Sequence, residues 1–457
     1  DDTLSKLTRI SLEHIIRGVD LSEYLKTLES ALREFSWGSD ISDVAQAYLL
    51  WSGYLTFYPE EAKRLMDYFR DKSPAISELI GMYIDEGEIF EKIYSITSYS
   101  EIRELVITWR SRIGKIIRET DKMLRFVGLK KRLGLISPEK RLRIIINTSK
   151  IRFYLDILSL LLDSPVVGPK ERMEIIDEML DIGHRYLQTI VRNNLQCFIS
   201  DVLGIMQNYA LALSYLFLTH TADKKKDAIE EIKEFYKLLW TFVAHEYSKI
   251  GSYYASYLST IVCFLSFPLS IVGETCPEEL KIIYAISSLF DPRTSERFAK
   301  GHPYTYVTDI ENMSSILASL AERMLDDPSR TKILKSSIDI LIDLYKWFIF
   351  QGKVSRDSTI QMLYYISRVL DQFGRDELEK IADFVLMLTH ITVPDWERND
   401  YELAILCESG VIDLLSTISI RLGDEKYINT AEKILKISIE AWEKYSFHEK
   451  ADELRRR

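Results

Sequence analysis

Apolar residues recur along this chain at helical spacing from one end to the other, and no stretch alternates apolar and polar residues over a strand's length. Residues 105–127, 171–191, 229–243, 329–350, 376–388 and 430–445 each place apolar side chains at i, i+3, i+4 and i+7. A β-branched run at 143–148 continues smoothly into such a pattern. An all-α fold is therefore expected. The 18 Gly and 11 Pro among 457 residues are too few for a turn-dense β architecture.

The helix breakers carry the next level of information. Short turn signals stand at Tyr58-Pro59, Ser164-Pro165, Thr221-Ala222-Asp223, Cys276-Pro277, Asp327-Pro328, Phe373-Gly374 and Leu422-Gly423-Asp424. From Asp223 through Pro277, Pro328, Gly374 and Gly423 the steps are 54, 51, 46 and 49 residues. Pro165 lies 58 residues before Asp223, and Pro59 lies 106 before Pro165, close to two further steps. Looser breaks fall between them, near Asn193-Asn194, Gly251, 291–304, 351–356 and 392–400. Alternating tight and loose breaks describe antiparallel two-helix hairpins with a unit of about 50 residues. A closed bundle would space its breaks similarly, but 457 residues exceed one ordinary helical core, so a superhelical stack, an α-solenoid, is expected. The division expected is an N-terminal helical region, 1–135, with a basic helix, and a hairpin array over 136–457.

In the last unit, 411–443, small residues stand at Ser419, Ala431 and Ser438, on either side of Leu422-Gly423-Asp424. Small residues there let paired helices approach closely, and the unit resembles a tetratricopeptide hairpin. The family's helix-A aromatic, helix-A Gly and closing Pro have no counterpart. The resemblance implies a superhelical, protein-binding scaffold.

Two stretches, 202–222 and 250–273, carry no Asp, Glu, Lys or Arg and are long enough to cross a bilayer. Their Gln207, Asn208, Ser259, Thr260 and Ser266 suit a helix covered by other helices better than one facing lipid. Both are expected in the core. The chain opens Asp1-Asp2-Thr3, so its natural start is expected upstream, and with no secretory pattern near that start a cytoplasmic location is expected. Asn and Gln number only seven each while charges abound, a composition that points to a hyperthermophilic, archaeal-type prokaryote.

Catalytic motifs are scarce. There is no phosphate-binding Gly-rich loop, no dinucleotide turn and no nucleophile elbow. His245-Glu246 begins like a zinc-protease helix, but Lys249 occupies the second histidine position. Asp181 and His184 form half of a carboxylate-x-x-His pair without the other half. Cys263 and Cys407 read as small core residues, and Thr275 or Cys276 as the cap of a helix whose first residue is Pro277. No metal and no cofactor are expected.

Charge is the strongest anomaly. The chain carries a net −10, yet residues 103–152 hold fifteen Lys and Arg against four Asp and Glu, leaving −21 on the remainder. At 100° per residue Arg112, Lys115, Arg118, Lys122 and Arg125 share one helix face, opposite Val106, Trp109, Ile113, Ile116 and Ile117. The row is expected to continue through Lys130, Lys131 and Arg132 in a loop at 128–134, then Lys140, Arg141 and Arg143. A solvated face, internal pairing with the acidic remainder, and binding to phosphate or an acidic protein surface all accommodate it. A second candidate is the long loop at 291–309, whose Arg293, Arg297, Lys300, His302, Tyr304 and Tyr306 suit stacking plus phosphate or acidic-peptide contacts.

The expectation is a non-enzymatic scaffold engaging a protein or nucleoprotein assembly. Direct RNA or DNA binding through 103–143 is the alternative, and an unfamiliar helical active site near Asp181/His184 or His245/Glu246 stands third. A homo-oligomer is compatible, because exposed terminal repeats need capping.

Overall fold

A computed structural model of the chain describes residues 59–71, 74–95, 98–130, 138–192, 199–219, 222–246, 252–289, 370–391 and 410–456, with Ala404 and single positions between 312 and 367. Every regular element among these residues is helical. The chain divides into two compact units, Asp1–Ile250 and Gly251–Arg457.

In the first unit seven helices are described: α1 (Pro59–Arg70), α2 (Pro74–Ser95), α3 (Tyr99–Lys130), α4 (Pro138–Leu162), α5 (Pro169–Arg192), α6 (Ile199–Thr219) and α7 (Ala222–Glu246). Four of the seven begin on proline, whose fixed φ and missing N–H suit the first helical position. Helix α1 packs on α2, consecutive helices from α3 to α7 pack as hairpins, and each helix from α2 to α5 also touches the next but one. Helices α2, α4 and α6 thus make one layer, and α3, α5 and α7 the other.

The layer of α4 and α6 is sewn together by polar side chains. Ser149 donates to Asp201 at 2.6 Å, Asn208 to Asp156 at 2.6 Å, and Tyr215 to Asp163, just beyond α4, at 2.8 Å. Each pair is 52 residues apart in sequence. A constant separation means that α6 lies parallel to α4 in one fixed register. Gly204 permits the close approach, because a Cβ there would lie 2.5 Å from Arg152 Nε.

The second unit contains α8 (Ser252–Val272), α9 (Pro277–Leu289), a 3₁₀ turn at Leu370–Gln372, α10 (Arg375–Ile391), α11 (Val411–Leu422), α12 (Glu425–Lys444) and α13 (His448–Arg456). Here too Asn312 donates to Thr260, 52 residues away, at 3.0 Å. Arg421 likewise reaches the Leu370 carbonyl, 51 residues back, at 2.5 Å. Gly273 ends α8 at φ +68, and Glu274 N–H reaches back to the Leu269 carbonyl, closing a left-handed cap that glycine adopts without strain. In the α11–α12 hairpin Ser419, Ala431 and Ser438 are all buried, as close helix pairing requires. Gly423 at φ +67 and Asp424, which accepts from Lys426 N–H at 2.9 Å, make that turn.

Both apolar stretches are core helices within their units. Helix α6 is long and apolar enough to cross a membrane, but Val202, Leu203, Ile205, Met206, Ala210 and Leu213 are all buried under α4, α5 and α7. In α8, Leu258, Ile261, Val262 and Leu265 are fully buried.

The regular step fails near the N-terminus. Two steps of equal size before Pro165 would put a break near residue 112, whereas α3 runs unbroken for 32 residues through it. No proline interrupts 99–130, and one stripe (Ile102, Trp109, Ile113 and the hydrogen-bonded Thr120) stays buried along it, so nothing forces a turn. The helix also continues through Gly128 to Lys130, where a loop was expected.

Candidate partner-binding surface

Four of the fifteen cations in 103–152 are paired inside the first unit. Glu78 of α2 accepts from Arg143 at 2.6 Å and from Lys150, both on α4. Burial pushes the Glu78 carboxyl up, but these two cations outweigh it and hold it below the usual range. Arg152 lies 3.4 Å from Asp156 and 3.3 Å from Asp201. On α3, Arg110 reaches Glu178 of α5 at 3.5 Å.

A different set stays outward. Arg112, Lys115, Arg118 and Lys122 are exposed and form no salt bridge among the described residues, although Arg112 lies near enough to Asp85 to act on its carboxyl. Arg112 also lies over the Trp109 ring, 5.7 Å from its centroid. Glu104 and Glu119 share the same arc of the helix, which dilutes the row. The side chains of Arg125, Lys130, Lys140 and Arg141, and the residues Lys131 and Arg132, lie outside the described residues. So does the whole 291–309 loop with Arg293, Arg297, Lys300, His302, Tyr304 and Tyr306.

Between α3 and α5 the second layer opens into a cleft of about 780 Å³. Arg103, Arg110 and Arg118 stand on its α3 wall beside one acid, Asp121. Glu174, Asp177, Glu178 and Asp181 stand on its α5 wall beside one cation, Arg185. The floor is apolar, made by Val106, Ile113, Ile117, Ile175 and Ile182, and Ile107 stands on the lip with 56% of its surface exposed. The acidic wall was legible as carboxylates three and four apart on one helix, but only the stacking of α5 on α3 sets it opposite a cationic wall. A smaller cleft of about 290 Å³ lies between α5 and α7, floored by Leu187, Phe235 and Leu238.

The candidate catalytic pairs meet ordinary neighbours. Asp181 pairs with Arg185 at 2.7 Å, and the His184 ring contacts Gln188 at 2.9 Å. His245 Nδ1 lies 2.8 Å from the adjoining Glu246 carboxylate. Among the described residues no three His, Cys, Asp or Glu are gathered as metal ligands would be. Cys276 is buried directly before Pro277, the first residue of α9, and burial pushes its thiol up to about 11. That value opposes a thiolate nucleophile at neutral pH.

No protein-family model matches this chain, and no curated protein or solved structure matches it.

Proposed function

We propose that this chain is a non-enzymatic helical-repeat scaffold, an α-solenoid of tetratricopeptide-like hairpins, that binds a protein or a nucleoprotein assembly. One observation carries the reading: α4 and α6 are cross-linked in constant register while α3 and α5, stacked on the other side, leave an open cleft lined by side chains of both signs. Repeating hairpins build extended surfaces of this kind, and such surfaces recognise partners by shape and charge together. Affinity purification of the tagged chain at low salt, repeated after nuclease treatment, tests it. A partner of fixed stoichiometry that survives nuclease supports the scaffold. Loss of every protein partner with nuclease moves the reading to nucleic acid.

That second reading is favoured by one feature, the four exposed cations of α3 that form no salt bridge among the described residues. From Arg112 to Lys122 they span about 15 Å at the helical rise, long enough to follow a phosphate backbone. Reversing Arg118 and Lys122 to Glu weakens a nucleic-acid complex and flattens its salt dependence. The same change leaves binding at a protein groove elsewhere unaltered.

A further inference from the structure

We propose that the α3/α5 cleft receives a single amphipathic helix from the protein partner, with an acidic edge laid against α3 and a basic edge against α5. This rests on the scaffold reading and names the chemistry of its partner.

The cleft has the three parts such a ligand needs. Its α3 wall runs from Ile102 to Asp121 and its α5 wall from Glu174 to Arg185. At 1.5 Å per residue both walls are present together over about 16 Å, roughly three helical turns. Its floor is apolar on both sides, and the exposed Ile107 extends that surface to the rim. A helix docking in a groove offers apolar anchors at i, i+3, i+4 and i+7, which is what a floor of this composition can bury.

The third part is the opposite sign of the two walls. Once Arg110 has paired with Glu178 and Arg185 with Asp181, the α3 wall keeps Arg103 and Arg118 against a single Asp121, and the α5 wall keeps Glu174 and Asp177. A uniformly acidic or basic helix would satisfy one wall and be repelled by the other. A helix with one edge of each sign satisfies both. Turning such a helix end for end exchanges its edges, so the walls also dictate the direction in which the partner runs. Charge across the cleft thus decides specificity, and the floor supplies affinity.

The test uses the full chain and three designed 20-residue helical peptides with a common Leu stripe at i, i+3, i+4 and i+7. One has Glu along one edge and Lys along the other, one has Glu on both, and one has Lys on both. By fluorescence anisotropy the split-charge peptide binds at least ten-fold more tightly than either uniform peptide. In Glu174→Lys/Asp181→Lys, two exposed changes, the preference passes to the all-Glu peptide. Ile107→Asp weakens all three. Equal affinity for the three peptides, or affinities unmoved by these variants, overturns the proposal.

Purification of the native partner with the same variants separates the two readings. An undiminished yield of a nuclease-resistant partner overturns the cleft and leaves the scaffold standing. A wild-type dimer that dissociates in Ile107→Asp, measured by light scattering, also overturns it, because the face then belongs to a second copy.

Discussion

Arg323 holds the carboxylate of Glu279 through two parallel hydrogen bonds, Nη2 to Oε1 at 2.8 Å and Nη1 to Oε2 at 3.0 Å. Side-chain exposure is 1% for the arginine and 0% for the glutamate. Ser266 also donates to Glu279 at 2.7 Å, and Arg323 donates to the Glu274 carbonyl at 2.8 Å, so both ions are fully provided with partners. The pair ties the start of α9 to a helical position 44 residues later.

Removing one ion of that pair strands the other. Glu279→Gln is expected to destabilise the second unit by about 3–5 kcal/mol, because the buried guanidinium keeps its charge without a counter-ion. Replacing both by apolar residues of similar volume is expected to cost far less, since the desolvation penalty disappears with the pair. Urea unfolding of the two variants beside wild type measures the contrast. Equal losses for both would contradict it.

Two glycines should respond to alanine with opposite sign. At Gly183 a Cβ would stand 2.6 Å from Tyr209 Cδ2 and 3.2 Å from its Cγ, and the ring is held by its hydroxyl on Glu231 at 2.7 Å. Overpacking of this kind costs about 1–3 kcal/mol and outweighs the helical gain. At Gly114 the nearest atom is the mobile end of Arg118, 3.7 Å away. There alanine should stabilise by about 0.5–1 kcal/mol. Thermal unfolding should therefore move down for Gly183→Ala and up for Gly114→Ala.

Asp201 makes part of the stability depend on pH. Burial raises its carboxyl above the ordinary 3.8, and Arg152 and Ser149 offset this only in part. The native state then keeps the proton to higher pH than the unfolded chain does. Its contribution is fully present below the unfolded value and is lost as pH rises through the folded one. Asp201→Asn keeps an acceptor for Ser149 and Arg152 but does not titrate. The wild-type stability relative to this variant should fall as pH rises from about 3.8. A difference that stays flat or grows across that range would rule out the burial argument.

Cys276 should be a slow nucleophile. Burial lifts its thiol to about 11, so almost none is thiolate at pH 8. Alkylation with iodoacetamide at pH 8, mapped by mass spectrometry, should modify it far more slowly in the native protein than in urea. Native labelling at the unfolded rate would show that the site opens freely.

What the sequence alone determined is local. Helical spacing marked the positions that α3, α5, α7, α10 and α12 occupy, because burial of one stripe repeats every turn regardless of what covers it. Pro277 and Gly423 marked a helix start and a helix end, because their backbone preferences act within a turn. The 52-residue separation of Ser149–Asp201 and of Asn312–Thr260 lies close to the spacing of the breaks. Beyond that, stacking decided. Glu78 gathers Arg143 and Lys150 from 65 and 72 residues away, which turns two cations of an apparent binding stretch into internal pairing. The acidic ridge of α5 reads as an ordinary solvated face until α3 sets cations across from it. Charges interact through space at the distance packing leaves between them, and one chain position carries no record of that distance.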